Sequence, residues 1–226
     1  MLGNGSVARF VIKSIAFLLI VGAILFASSG DLGWEAAWLY IGIYTANQVA
    51  LALILPRELL AERSALQEGT KRWDRLLSVL AALLLPLSAY LIAGLDRRCG
   101  WTGRLPALVQ GGALALMALG IALTSWAMAV NDFFSGTVRI QRERGHAVVR
   151  SGPYRYVRHP GYVGGIVHHL MVSLVLGSLW GLVPGVLGAL ALVLRTSLED
   201  RTLRQELAGY SAYARRVSYR LLPGVW

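Results

Sequence analysis

The hydrophobic positions of the first 130 residues fall in long runs separated by short polar segments. A helix needs about 20 apolar residues to cross the bilayer core, which is about 30 Å thick. Inside lipid the backbone must satisfy its own hydrogen bonds, and the runs are too long for barrel strands, so we expect helices. The pattern predicts four membrane-spanning helices, over residues 10–28, 34–55, 76–95 and 105–130.

The first of these runs, residues 10–28, has Arg9 and Lys13 near its start and could also be a signal peptide. We find no clear small-residue cleavage site followed by a soluble domain, so we interpret it as the first span. The mixed charge of residues 57–75 predicts a short amphipathic helix on the membrane surface.

A further apolar run, residues 161–194, is too long for one crossing. One helix of that length would measure about 50 Å at about 1.5 Å per residue. Gly177, Gly181, Pro184 and Gly185 lie near its middle and predict a tight helical hairpin. We therefore predict an all-α fold, a multi-pass integral membrane helical bundle with about six crossings that include this C-terminal hairpin.

The chain divides into two predicted regions. Residues 1–130 hold the four N-terminal spans, and residues 131–226 hold a polar, basic segment, the hairpin and a charged tail with a helical pattern up to Pro223. Six crossings place both termini on one side of the membrane. Most lysines and arginines lie on that side, although residues 96–104 carry three arginines on the other, so the positive-inside rule predicts that both termini face the cytoplasm.

Composition supports a membrane protein over a soluble one. The chain is 56% hydrophobic and 15% charged, whereas a soluble domain has about 25% charged residues. A net charge of +10 would suggest nucleic acid for a soluble protein. Here we expect the basic loops to meet membrane lipids, and no nucleic acid. The single cysteine, Cys99, excludes an internal disulfide and a cysteine metal cluster.

A polar and aromatic segment, SGPYRYVRHPGYVGG (residues 151–165), precedes the hairpin. Pro160 lacks an amide hydrogen and disfavours a helical His159, so we predict that a helix begins around Pro160. Free amides at a helix start favour an anionic group. Three tyrosines offer faces on which a base ring could stack: Tyr154, Tyr156 and Tyr162. The alternative is a belt of interfacial anchors.

Two charged pairs follow the last apolar run. Arg195 and Glu199 lie four residues apart on one helical face at the membrane boundary, which suits the binding of a ligand. The alternative for them is a surface ion pair. Asp200 and Arg204 have the residue order that favours such a surface pair, and we interpret them as one.

Two histidines, His168 and His169, lie inside an apolar helix. Ionisable groups in a span are costly and often functional. Adjacent helical positions point about 100° apart, so the two cannot ligate one metal from the same helix. We favour hydrogen bonds to a neighbouring helix or the lining of a pocket, and we predict no metal site. A b-type cytochrome or a membrane scaffold is the non-enzymatic alternative.

Several of these features form an ordered set of motifs. The set consists of His146 followed by AVV, GPY ending at Tyr154, RHPGY ending at Tyr162, the hairpin, Arg195 with Glu199, and GYSAYARRVSYRLLPGVW. Over residues 139–226 the chain resembles the isoprenylcysteine carboxyl methyltransferase family and its prokaryotic relatives, which include membrane phospholipid methyltransferases.

The resemblance implies an integral membrane enzyme that uses S-adenosyl-L-methionine to methylate a lipophilic acceptor at the cytoplasmic membrane boundary. The implied acceptor is an isoprenylcysteine-like carboxylate or a lipid, and the sequence leaves open whether the methylated group is a carboxylate, an amine, a thiol or another lipid group. The resemblance assigns acceptor binding to Arg195 and cofactor binding to Glu199, our two predicted catalytic residues. The other implied cofactor-binding residues are His146, Val148, Val149, Tyr154, His159, Pro160 and Tyr162.

Some relatives also bind the cofactor through a glutamine seven residues before the histidine. In this chain that position is Arg139, and Gln141 lies nearby. We therefore assign no residue of this chain to the cofactor contact that the glutamine makes in those relatives.

An alternative function follows from the RHPxYxG pattern, which membrane steroid and sterol reductases that use NADPH share. Those reductases usually have asparagine and an acidic residue where this chain has Gly161 and Gly165. We find no GxSxG, HExxH or glycine-rich phosphate loop, which argues against a hydrolase, a zinc protease and an ATPase.

Overall fold

The computed structural model describes residues 5–63 and 69–226, and this part of the chain contains helices and no strands. The α-helices are α1 (Gly5–Ser29), α2 (Glu35–Ile54), α3 (Arg57–Arg63), α4 (Arg72–Val79), α5 (Leu85–Cys99), α6 (Ala107–Ala129), α7 (Pro160–Val175), α8 (Leu182–Glu206) and α9 (Tyr210–Arg216). A π-helical turn, Leu80–Leu84, joins α4 to α5, and two short 3-10 turns span Arg142–Arg144 and Gly152–Arg155.

Five helical stretches are long and apolar enough to cross a membrane: α1, α2, α4 with α5, α6 and α8. The sixth, α7, is apolar and shorter, with 16 residues that rise about 24 Å at about 1.5 Å per residue. The prediction of an all-α multi-pass membrane bundle with about six crossings is therefore confirmed. The predicted surface helix within 57–75 corresponds in part to α3, and residues 64–68 lie outside the described part.

The C-terminal hairpin is also confirmed. Helix α7 ends at Val175, and Gly177 has a φ of +78°, a left-handed conformation that glycine adopts without steric cost. The amide of Ser178 donates to the Ser173 carbonyl at 2.8 Å, which closes the turn before α8 begins at Leu182.

The predicted helical pattern up to Pro223 is wrong at the end of the chain. Helix α8 ends at Glu206, and a left-handed Gly209, with φ of +80°, separates it from α9. After Arg216 the chain is not helical. It folds back on the start of α7, where the amides of Arg158 and His159 donate to the carbonyls of Tyr219 and Arg220, each at 3.0 Å.

Helices α6 and α7 approach each other closely at glycine positions. A Cβ atom on Gly164 would overlap the carbonyl oxygen of Gly120 and the hydroxyl of Thr124. Small residues at such crossings let helix backbones come into contact in membranes. This contact holds the first turns of α7 against the end of α6.

The two histidines of α7 contact neighbouring helices. His168 Nε2 lies 3.4 Å from the hydroxyl of Tyr40 on α2. His169 interacts with the backbone of Ala81 in the π-helical turn. This turn lies just before Pro86, which cannot donate a backbone hydrogen bond. These contacts agree with the interpretation of both side chains as partners of neighbouring helices.

The helix ends divide between two faces of the bundle. The connections 30–34, 100–106 and 176–181 lie at one end, with Arg97, Arg98 and Arg104 near them. All the other lysines and arginines of the chain lie towards the opposite end, which carries the described residues 55–63 and 69–71, the connection 130–159 and the tail. We call this end the basic face.

We predict that Gly164→Ala lowers the free energy of unfolding by about 1–3 kcal/mol, because the added methyl group forces α6 and α7 apart. Thermal unfolding in detergent measures the loss. Gly112→Ala is the matched control on α6, where a Cβ atom would meet nothing within 4 Å. Equal stability of the two variants would contradict this account of the contact.

Candidate active site

A partly open cavity of about 290 Å³ lies near the basic face, between α6, α7, α8 and the polar segment 130–159. Eight of the nine residues predicted to bind the cofactor or the acceptor line it: His146, Val148, Val149, Tyr154, His159, Tyr162, Arg195 and Glu199. The ninth, Pro160, is not among the lining residues. It is the first residue of α7, and its fixed φ suits the start of a helix, as predicted.

One hydrogen bond joins the two ends of the predicted site. The Tyr162 hydroxyl on α7 donates to Oε2 of Glu199 on α8. Within the described residues the other carboxylate oxygen, Oε1, has no hydrogen-bond partner in the protein. Glu199 thus keeps one acceptor for a ligand hydroxyl, while the tyrosine holds the carboxylate in place.

His146 contributes an uncharged hydrogen-bond donor to the cavity. The Gln141 amide donates to Nδ1 of His146 at 3.2 Å, so the ring carries its proton on Nε2. Phe133 stacks on the ring, with 4.6 Å between ring centroids. Burial, together with the nearby charges of Arg139 and Arg144, lowers the pKa of His146 to about 4.

The polar segment before α7 is organised by Gln141 and by Arg139. Gln141 is buried; it donates to the Phe133 carbonyl at 2.8 Å and accepts from Arg144 at 2.6 Å. It does not line the cavity, whereas Arg139 does and pairs with Glu62 of α3 at 2.8 Å. Gln141 therefore supports the loop that presents His146.

The three tyrosines of the polar segment have different positions. Tyr154 is buried, and its hydroxyl accepts from Asn131 at 2.9 Å, while its carbonyl accepts from the Tyr213 hydroxyl at 2.7 Å. Tyr154 and Tyr162 line the cavity, but Tyr156 is 67% exposed and does not. The prediction that Tyr156 offers a stacking face in the site is wrong, because the 3-10 turn directs it outward.

Arg195 pairs with a carboxylate on a helix that is distant in sequence. Its Nε and Nη2 donate to Asp74 of α4 at 2.6 Å and 3.1 Å, and Nη2 also donates to the Gly136 carbonyl at 2.8 Å. The guanidinium lies 5.5 Å from the Tyr162 ring centroid. Within the described part no ion pair joins Arg195 to Glu199, so their helical spacing did not reveal the true partner.

Asp200 is a second residue that the sequence interpretation placed wrongly. It is fully buried instead of lying on the surface, because α8 passes beneath the RHP segment and the tail. Its carboxylate contacts five side chains: Arg158 at 2.7 Å, Tyr210 at 2.9 Å, Arg204 at 3.0 Å, Arg220 at 3.1 Å and His159 at 3.5 Å. The pairing of Asp200 with Arg204 is correct, but its role as a surface pair is not.

The fold and the cavity define a class: a multi-pass helical membrane protein with a cavity near one end of the bundle, where its last two helices meet a polar loop. Comparison with known proteins shows which family the chain is similar to. The isoprenylcysteine carboxyl methyltransferase (ICMT) family model matches residues 113–205, from α6 to the end of α8. The resemblance predicted from the motifs is therefore confirmed.

The chain is also similar to a curated protein. The protein-S-isoprenylcysteine O-methyltransferase of Schizosaccharomyces pombe is 40% identical over 70 residues, which make up 30% of this chain and 30% of that protein. Neither match is to a steroid or sterol reductase or to a cytochrome.

We predict that Asp200→Asn lowers the free energy of unfolding by about 3–5 kcal/mol, because it leaves the buried Arg158 without its ionic partner. The loss is measured as a shift of thermal unfolding in detergent. Arg204→Gln is the control. Its side chain is 41% exposed, so we expect it to cost less than about 1 kcal/mol. Equal losses would disprove the role of Asp200.

We predict that His146 stays neutral in the folded protein down to about pH 5. Its pKa is lowered from 6.5 to about 4, so the unfolded chain binds more protons between these values. The contribution of His146 to stability therefore falls as the pH falls through that window. NMR of histidine-labelled protein, with His146→Gln to assign the signal, measures the titration. A folded-state midpoint near pH 6.5 would contradict the prediction.

Proposed function

We propose that this chain is a methyltransferase that uses S-adenosyl-L-methionine to methylate the carboxylate of a lipophilic or lipid-modified acceptor at the cytoplasmic membrane boundary. The observation that carries the proposal is the bond from Tyr162 to Glu199 in a cavity that His146 and Val148 also line. The names of the matching family and of the yeast relative, which both specify isoprenylcysteine methylation, support the same reaction.

The residues present fit this cofactor by their chemistry. Oε1 of Glu199 suits the ribose hydroxyls, and the apolar and aromatic lining around Val148, Val149 and Phe133 suits the adenine ring. The Nε2 proton of His146 suits the carboxylate of the methionine end. A cavity of about 290 Å³ lies close to the lower end of the range for small-molecule sites.

When bound, the cofactor supplies an electrophilic methyl group on a positively charged sulfur. Transfer of this methyl group to an acceptor carboxylate would form a C–O bond, break the S–C bond and leave the electron pair of that bond on sulfur. No proton has to move, so the main task of the protein is to align the reactants. Alignment can contribute about 7–11 kcal/mol to lowering the barrier, and exclusion of water strengthens the attraction between the two charges.

The position of the cavity supports a lipophilic acceptor. Part of its lining comes from within the membrane-spanning helices and from the π-helical turn: Ala82, Thr124, Met128, Gly165 and Leu192. The rest comes from the polar segment and from helix ends near the basic face, which the positive-inside rule assigns to the cytoplasm. We propose that the cofactor enters from water on that side and that the acceptor enters from the bilayer.

We predict that Glu199→Gln weakens cofactor binding about 10- to 100-fold, because hydrogen bonds to a charged group are worth about 1.5–3 kcal/mol. Calorimetric titration of purified protein in lipid nanodiscs measures the affinity. Glu206→Gln on the same helix is the control, since among the described residues Glu206 pairs only with the partly exposed Lys71. In the wild type, S-adenosyl-L-methionine and not NADPH should raise the unfolding temperature. Protection by NADPH alone would refute the proposed function.

A further inference from the structure

Four arginines line the cavity, and they differ in their pairing. Three of them are paired with buried carboxylates: Arg139 with Glu62 at 2.8 Å, Arg158 with Asp200 at 2.7 Å and Arg195 with Asp74 at 2.6 Å. The fourth, Arg63, forms no ion pair with any of the described residues. Arg63 therefore places a positive charge on the cavity wall that no described carboxylate neutralises.

Arg63 is the last residue of α3, and part of its guanidinium is buried without a hydrogen-bond partner. Its Nε is buried and has no hydrogen-bond partner in the described structure. Its guanidinium lies over the ring of Phe134, 5.4 Å from the centroid. Burial lowers the pKa of Arg63, and the charge of Arg195 lowers it further, against an opposing effect of Tyr44. A buried charge without a partner is costly, and an anionic ligand would remove that cost.

The neighbours of Arg63 connect it to the cofactor-binding segment. A Cβ atom on Gly161 would meet the Phe134 ring at 2.7 Å, so Phe134 packs between Arg63 and the first turn of α7. Gly161 is followed directly by Tyr162, whose ring faces Arg195. The unpaired guanidinium is thus adjacent to the Tyr162–Glu199 end of the cavity.

Arg195 is poorly suited to take a second carboxylate. Two of its nitrogens already donate to Asp74, and one of these also donates to the Gly136 carbonyl. Asp74 in turn accepts from the Val138 amide at 2.6 Å. Arg195 therefore joins α8 to α4 and to the polar loop, and a carboxylate that contacted both of its terminal nitrogens would have to displace Asp74 or the Gly136 carbonyl from Nη2.

We propose that Arg63 binds the carboxylate of the methyl acceptor, while Arg195 positions Tyr162 and the polar loop. The inference rests on the proposed function, because it takes the acceptor to be a lipophilic carboxylate. A guanidinium matches a carboxylate with two parallel hydrogen bonds, which orient the reacting oxygen. Methylation turns this anion into a neutral ester, so Arg63 favours the substrate over the product.

The first test is steady-state methyl transfer from labelled S-adenosyl-L-methionine to an N-acylated S-farnesyl cysteine. We expect Arg63→Gln to raise the KM for the acceptor about 10- to 100-fold, and to change the calorimetric Kd for the cofactor less than twofold. Arg63→Lys, which keeps the charge, should recover part of the loss. The control is Arg57→Gln, an exposed position on α3, which should leave both constants unchanged. An unchanged KM in Arg63→Gln would overturn the assignment.

The second test measures binding without catalysis. Calorimetry in nanodiscs compares the farnesyl cysteine carboxylate with its methyl ester, in the presence of the demethylated cofactor. We expect wild type to prefer the carboxylate at least tenfold, and Arg63→Gln to lose this preference. Equal binding of both probes by the wild type, or a preference that survives Arg63→Gln, would overturn the role of Arg63. Failure of the proposed function is distinguishable, because it appears as an absence of cofactor binding and methyl transfer in the wild type.

Discussion

A single buried carboxylate, Asp200, holds together the half of this protein that carries the basic face. Burying a charge is unfavourable unless it is paired and hydrogen-bonded, and Asp200 meets this requirement with Arg158 from the polar segment, Tyr210 from α9 and Arg220 from the tail. Each of these partners comes from a different part of the chain. The segments that enclose the cavity are therefore fixed to α8 by one side chain.

The same constraint places the residues of the candidate active site. Asp200 directly follows Glu199 on α8, and its partner Arg158 lies just before the first turn of α7, which carries Tyr162. When Arg158 pairs with Asp200, the start of α7 is brought to the exit of the hairpin. The bond from Tyr162 to Glu199 then forms beside the ion pair. The proposed cofactor site is a direct consequence of this structural pairing.

The arginines of the cavity divide into two groups by their partners. Arg139, Arg158 and Arg195 are neutralised by carboxylates on other elements, and each of these pairs joins parts of the chain that are far apart in sequence. Such pairs contribute to a defined arrangement of the loops. Arg63 has no carboxylate partner among the described residues, and its charge remains available to an anion. Charge pairing therefore separates the arginines that build the site from the one that we assign to the acceptor.

The sequence by itself determined the spans, the hairpin turn near Gly177, the start of α7 at Pro160 and eight of the residues around the cavity. These follow from local properties: the length of an apolar run, the conformational limits of glycine and proline, and an ordered set of motifs. Only the tertiary structure decided that Arg195 pairs with Asp74, that Asp200 is buried and that Arg63 is left unpaired in the described part. Asp74 is 121 positions from Arg195, and no local pattern specifies which distant charge a side chain meets. That choice depends on how the helices pack, because burial makes an unpaired charge costly and so selects the partners that packing brings within reach.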